Sequence, residues 1–320
     1  MRLSVVIPVF NEEESLDLLF AALYDALEEL PFDWQIVFVD DGSDDGSLSI
    51  LEKYAVADTG HIVVVAFRRN FGQTAAIAAG IDHAEGEIIV LMDADMQNDP
   101  ADIPMMLEKI GEGYDVVSGW RYKRQDSFSR RLPSQVANGL ISRVTGVYLH
   151  DYGCTLKAYR REILTDFRLY GEMHRFIPAY AGSVGAKILE VPVQHHPRRY
   201  GKAKYGLERT LKVMLDLVTV KFLISYSQKP IYLFGGVGLS LSGISTALLF
   251  FLIIRRVWVG TNVLDSPFFL TAIMLMIMGF QSILMGLIAE LLVRTYHEAQ
   301  SKPTYTLRRV INRRIEEQSG

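Results

Sequence analysis

The sequence predicts an α/β protein: a mostly parallel, Rossmann-like sheet covered by helices on both faces, followed by two helices long enough to cross a membrane. Three observations predict it. Short apolar runs without polar alternation recur through the first 120 residues, separated by stretches of helical periodicity, which is how parallel strands buried on both faces read. Polar and acidic clusters follow those runs, where an open α/β sheet holds its ligands. Two apolar stretches, Ile231–Ile254 and Pro267–Val293, each exceed the roughly 20 residues that span a bilayer.

The elements follow in order. Ser4–Val9 is the first strand. Asn11, with Glu14 three residues on, reads as an N-cap pair for a helix whose Leu16, Leu19, Phe20 and Leu23 recur at helical spacing. Gln35–Val39 is the second strand, ending at Asp40-Asp41-Gly42-Ser43, and Ser47–Tyr54 is helical. His61–Phe67 is a strand, Gln73–His83 a helix, Glu87–Met92 a strand, Asp102–Gly111 a helix and Asp115–Ser118 a strand. Residues 121–205 are less regular and rich in Arg, His and Tyr. Gly206–Gln228 sets Arg209, Lys212 and Lys221 among Leu, Val, Met and Phe, a composition suited to a helix lying on a membrane surface.

The expected organisation is an α/β domain over 1–205, an amphipathic interfacial region over 206–229, two spans within 230–294 and a basic tail over 295–320. The tail carries Arg308, Arg309, Arg313 and Arg314, so the positive-inside rule puts both soluble parts in the cytoplasm. Arg255 and Arg256, between the spans, run against that rule. Hydrophobic residues make up 49% of the 320 and charged residues 22%, more apolar than a typical soluble enzyme, and the excess lies after residue 230. The single cysteine, Cys154, excludes an intrachain disulfide and suits a reducing compartment. Leu3–Phe10 is too short, and followed by too many acids, to read as a signal peptide. The net charge of −4 selects no partner class, and no nucleic-acid partner is expected.

Chemistry concentrates at Asp93-Ala94-Asp95-Met96-Gln97, directly after the strand at Glu87–Met92. Two unpaired carboxylates side by side repel. A divalent cation removes that cost, and carboxylate oxygen suits Mg²⁺ or Mn²⁺, with substrate phosphates completing the shell. Solvated loop acids are the alternative reading. A second cluster, Arg121-Tyr122-Lys123-Arg124 with Arg130-Arg131, offers guanidinium groups for bidentate phosphate binding, a solvated basic face being the alternative.

The set Val6-Ile7-Pro8-Val9-Phe10-Asn11-Glu12, Asp40-Asp41-Gly42-Ser43 and Asp93-Ala94-Asp95-Met96-Gln97 resembles the GT-A fold of family 2 glycosyltransferases. Arg68-Arg69-Asn70-Phe71-Gly72-Gln73, Asp151-Tyr152-Gly153-Cys154, His174-Arg175-Phe176-Ile177-Pro178 and Arg198-x-x-Gly201-x-Ala203-Lys204-Tyr205 narrow the resemblance to the polyisoprenyl-phosphate glycosyltransferases. The resemblance implies a nucleotide-sugar site lined by Pro8, Phe10, Glu12, Asp40 and Asp41. Arg198 and Lys204 would clamp the diphosphate, though Ala203 stands where the family has Ser. It implies Asp93, Asp95 and Gln97 about the metal, Arg121, Arg131 and Ser134 about the acceptor phosphate, and a homotetramer. His195 and His196 read as loop residues, because a hard cation prefers oxygen, and Cys154 as a packed small side chain. Asp151 stays open between catalytic base, positioning group and structural acid, since a phosphate acceptor with a second pKa near 6 needs little base help.

The expected activity is inverting, metal-dependent transfer of a sugar from a UDP-sugar to undecaprenyl phosphate at the cytoplasmic face of a bacterial inner membrane, for lipopolysaccharide or cell-wall glycan modification. The rivals are transfer to a diacylglycerol-type lipid, which would need a base, and a non-catalytic membrane scaffold. A processive polysaccharide synthase is disfavoured, because no Gln-x-x-Arg-Trp element occurs.

Overall fold

A computed structural model describes residues 2–122, 138–139, 141–143, 145–165, 169, 173–197, 231–260, 262–264, 266–299 and 305–312. The predicted amphipathic stretch 206–228 lies outside them. By contacts the chain divides into a unit of Met1–Val220 with Pro303–Gly320 and a unit of Lys221–Lys302.

In the first unit, β1 (Arg2–Val9), β2 (Asp33–Asp40), β3 (Ile62–Phe67), β4 (Ile88–Leu91), β5 (Val116–Trp120), β6 (Lys157–Arg160), β7 (Ile188–Pro192) and β8 (Leu307–Ile311) form one sheet in the order β7-β5-β6-β4-β1-β2-β3-β8. The predicted parallel core is present, since β1 pairs in parallel with β2 and β4, and β2 with β3. The sheet is nevertheless mixed: β6 is antiparallel to β4 and β5, and β8 is antiparallel to β3. Both reversed strands interrupt their apolar residues with charges. β6 begins and ends on Lys157 and Arg160, and β8 carries Arg308 and Arg309 along a sheet edge, where charges discourage further strand addition.

Helices α1 (Leu16–Leu27), α2 (Ser47–Ala57) and α4 (Ile103–Gly111) share one apolar core with one face of the sheet, and α3 (Gln73–His83) packs on the other, against β1 and β2. α1 buries Leu16, Leu19, Phe20, Leu23 and Leu27, each worth about 1.5–3 kcal/mol of transfer free energy. Gly80 brings α3 close to the sheet, because a Cβ there would strike Val6. The predicted cap pair is not what starts α1. The helix begins at Leu16, and Asn11 adopts a left-handed conformation (φ 54°), its side-chain oxygen accepting from the Asp44 N–H at 2.9 Å. A partner from the β2–α2 turn outcompetes the local cap. Short helices α5 (Arg161–Thr165) and α6 (Ile177–Ser183) also belong to this unit.

The second unit is a pair of helices, α7 (Ile231–Val259) and α8 (Pro267–Ala299), long and apolar enough to cross a membrane. Both run beyond the predicted spans, α7 taking in Arg255 and Arg256. Glu290 and Arg294 stand four residues apart, a spacing at which a helix would pair them, and their side chains lie outside the described ones. Small residues set how closely the helices approach: a Cβ on Gly238 would lie 2.6 Å from the Gly279 carbonyl oxygen, and one on Gly279 2.5 Å from Ser242 Oγ. Ser245 Oγ donates to the Ala272 carbonyl at 2.6 Å, and Ser282 Oγ to that of Phe234 at 2.8 Å. Gly238 and Ser242 are thus used within the chain. Gly279→Leu should force the helices apart at a cost of about 1–3 kcal/mol. Disulfide cross-linking of a Ser245→Cys/Ala272→Cys pair in membranes should fall when Gly279→Leu is added.

Candidate active site

The strand directions decide where the site is. β1 to β5 and β7 point the same way, so Phe10–Glu12, Asp40-Asp41, Arg68–Gly72, Asp93–Gln97 and Arg121 leave the sheet along one edge. β6 runs the other way and therefore begins at that edge, bringing the preceding residues 151–155 to it. Asp93 sits between the two directions. Its Oδ1 accepts from Gln73 Nε2 at 2.7 Å, and its Oδ2 accepts from Thr155 Oγ1 at 2.5 Å. Burial, reinforced by the charge of Asp95, pushes the Asp93 carboxyl up to about 6. Asp95 turns back to accept from the Gln97 N–H at 3.1 Å, and Met96 between them is left-handed (φ 57°), a conformation uncommon for a side chain with a Cβ. Ser15 Oγ lies 3.0 Å from the Ala94 carbonyl and 3.3 Å from a Glu12 carboxylate oxygen, tying the loop after β1 to this turn. The Glu12 N–H donates to Ser47 Oγ at 2.9 Å, and Pro8 and Phe10 are half-buried at the end of β1.

Asp40 and Asp41 are both buried and turned toward backbone. Asp40 accepts from the Ser43 N–H at 3.3 Å. Asp41 grips the next loop with both oxygens, accepting from Phe71 N–H at 2.7 Å and Gly72 N–H at 2.9 Å. Burial pushes its carboxyl up to about 6 against the pull of those two bonds. Gly42 lets the loop pass, since its φ is 70° and a Cβ would lie 2.5 Å from the Arg69 backbone. Asp41→Ala would leave two half-buried amides without their acceptors. It should cost about 2–4 kcal/mol, read as a fall in the thermal unfolding temperature of the full chain.

Arg121 and Asp151 are brought together as a buried bidentate pair. Arg121 Nε donates to Asp151 Oδ2 at 2.6 Å and Nη2 to Oδ1 at 2.8 Å, with side chains 14% and 6% exposed. Oδ1 also accepts from the Gly153 N–H at 3.1 Å. Glu190 of β7 fixes the segment from behind, accepting from the His150 N–H at 3.0 Å, the Asp151 N–H at 2.9 Å and lying 2.7 Å from His150 Nδ1. A carboxylate so engaged is a positioning group for Arg121 more readily than a proton acceptor.

Gln73, Thr155, Glu190 and Lys157 carry no assignment from the sequence. Lys157 is buried and donates to the carbonyls of Tyr152 (3.2 Å) and Cys154, burial lowering its pKa. The available signal was a lone charge inside an apolar run, Lys157 in Leu156–Tyr159 and Glu190 in Ile188–Pro192. Cys154 is packed as expected, burial pushing its thiol up to about 11. His174 is buried against Thr74 Oγ1 at 2.7 Å and held neutral, its pKa well below the ordinary value through burial. His196 lies 3.0 Å from Asp99 Oδ2 and donates its backbone N–H to the Gln97 carbonyl at 2.9 Å, so the segment after β7 is seated on the Asp93–Gln97 turn. Arg131, Ser134, Arg198 and Lys204 lie outside the described residues.

Among known proteins, a sequence model described as glycosyl transferase family 2 matches residues 4–168. The chain is 41% identical over 316 residues to dodecaprenyl-phosphate galacturonate synthase of Rhizobium johnstonii (strain DSM 114642 / LMG 32736 / 3841), covering 98% of this chain and 94% of the relative. It is 40% identical over 313 residues to undecaprenyl-phosphate 4-deoxy-4-formamido-L-arabinose transferase of Enterobacter sp. (strain 638), with coverages of 98% and 94%. Two solved structures share the fold. S. aureus TarS 1-349 in complex with UDP-GlcNAc matches with a TM-score of 0.52 at 23% identity, covering 70% of this chain and 67% of that one. Glucosyl-3-phosphoglycerate synthase from Mycobacterium tuberculosis, in complex with Mn²⁺, UDP and phosphoglyceric acid, matches with a TM-score of 0.54 at 19% identity, covering 70% and 78%.

Proposed function

The chain belongs to glycosyl transferase family 2 and is a glycosyltransferase of GT-A fold, and from that premise we propose that it moves a sugar from a UDP-sugar onto undecaprenyl phosphate, with Mg²⁺ or Mn²⁺ bound. The observation that carries the reading is similarity along nearly the whole chain to two enzymes named for sugar transfer to a polyprenyl phosphate.

The donor set at the β4 edge fits a hard cation. Asp93 and Asp95 would supply oxygens, and Gln73 and Thr155 hold Asp93 in place. Among the described residues no cluster of three or more His, Cys, Asp or Glu surrounds one point, so Gln97, water and the donor's phosphates would complete the shell. When bound, the cation neutralises the donor diphosphate and stabilises the charge on the departing UDP. Pro8, Phe10 and Glu12 form the nucleotide side of the site in this reading, with Asp40 and Asp41 shaping its loops through their backbone bonds and Arg198 and Lys204 as diphosphate clamps.

Arg121 and Arg131, with Ser134, would bind the acceptor phosphate. Its oxygen attacks the anomeric carbon from the face opposite the diphosphate. One C–O bond forms, the bond to UDP breaks and the configuration inverts. The acceptor arrives as an anion, so no side chain has to remove a proton, which accords with Asp151 being committed to Arg121 and Gly153. The same commitment counts against a hydroxyl lipid, which requires a base. The helices α7 and α8 would anchor the enzyme in the inner membrane, catalytic domain and tail toward the cytoplasm, as a homotetramer.

The test is transfer by purified full-length protein in mild detergent, with undecaprenyl phosphate, Mn²⁺ or Mg²⁺ and a panel of UDP-sugars including galacturonate and formamido-arabinose donors. A sugar-phospho-undecaprenol identified by mass spectrometry, and lost with EDTA, is expected. Transfer to a diacylglycerol but not to the phosphate would overturn the acceptor assignment.

A further inference from the structure

β8 enters the sheet next to β3 and, being antiparallel, begins where β3 ends. That puts Tyr305 beside the loop between β3 and α3. The Tyr305 ring stacks on Phe67, centroids 5.1 Å apart, and its hydroxyl donates to Asp82 of α3 at 2.8 Å. Phe67 meets Phe71 edge-on at 5.6 Å, and the Arg69 guanidinium lies over the other ring at 4.3 Å. The same stretch of tail holds Arg68: its N–H donates to the Thr306 carbonyl and its Nε to that of Leu307, both at 3.3 Å. From Phe71 the chain runs through Gly72, clamped by Asp41, to Gln73, which donates to Asp93.

We propose that Tyr305 is a positioning residue for the Asp93 turn, bracing loop 68–72 through Phe67 and Phe71 and so holding Gln73 in place to orient the Asp93 carboxylate. The segment that follows the apolar hairpin is therefore part of the catalytic apparatus. The link from loop order to turnover rests on the reading of Asp93 as a site carboxylate; the link from Tyr305 to loop order does not. Asn312 provides the internal comparison. It lies on the same tail, but its side chain donates to the carbonyls of Ala55 in α2 and Ile62 at the opposite end of β3, away from the loop.

The experiment compares Tyr305→Ala, Tyr305→Phe and Asn312→Ala in the full-length protein, by hydrogen–deuterium exchange over residues 67–74 and by donor steady-state kinetics. In Tyr305→Ala, exchange at the Phe71 and Gly72 amides should rise about tenfold, a local opening rather than a global one. Donor kcat/KM should fall about fivefold or more, as expected when a first-contact group loses its support. Tyr305→Phe, which keeps the ring stack, should stay within about twofold of wild type on both readouts, as should Asn312→Ala at the loop. Equal loss in Tyr305→Ala and Asn312→Ala would mean that the tail only stabilises the sheet, and would overturn the proposal, as would unchanged exchange in Tyr305→Ala. Raised exchange confined to Tyr305→Ala in a protein that transfers no sugar would uphold the brace and reject the functional reading instead.

Discussion

Asp93→Asn is expected to lower kcat for sugar transfer by about 10³-fold while leaving the fold intact, because in the proposed reaction it weakens the hold on the cation that would neutralise the donor diphosphate. The fold survives for a local reason. Both partners of Asp93, Gln73 Nε2 and Thr155 Oγ1, donate to it. An asparagine accepts from Gln73 and donates to Thr155, whose hydroxyl turns to accept, so no buried group is stranded. Burial and Asp95 both disfavour charge at this position, so the variant should unfold at an equal or higher temperature than wild type when metal and donor are absent. The measurements are UDP release with saturating donor and thermal unfolding in EDTA. Turnover within tenfold of wild type would remove Asp93 from the site.

Asp151→Ala should be the most destabilising single change among the site residues, by about 3–5 kcal/mol, because it leaves the Arg121 guanidinium buried without its carboxylate. The Gly153 N–H loses its acceptor in the same step. Asp151→Asn separates structure from chemistry. It retains an oxygen for one donor and has no basic function, so a positioning role predicts loss of up to about tenfold in kcat/KM with an unchanged pH profile. A general-base role predicts about 10²–10⁴-fold loss and disappearance of the acidic limb. Steady-state rates from pH 5 to 9, with folding checked by thermal unfolding, decide between them.

How the site reads from sequence depends on the kind of signal each residue leaves. Asp93, Asp95, Asp40 and Asp41 are acids directly after buried strands, so strand direction alone gathers them at one edge. The nature of their engagement was not legible. Asp40 and Asp41, read as groups facing a nucleoside, turn their carboxylates onto backbone N–H donors 3 and 30 or 31 residues away. Asp151, left open between base, positioning group and structural acid, and Arg121, read as a phosphate ligand, are one ion pair, and nothing in the 29 residues between them announces it.

The sequence by itself determined the class of fold, the parallel core, the strand ends that carry acids and the two apolar helices, because each follows from local periodicity and from the cost of burying polar groups. Only the tertiary structure decided which strands reverse. β6 and β8 are short and charged, and their place comes from open sheet positions rather than from their own hydrophobicity. Those reversals bring Thr155 to Asp93 and Tyr305 to Phe67. Contacts between groups 62 and 238 residues apart along the chain depend on the closure of the whole sheet, and no local pattern encodes that.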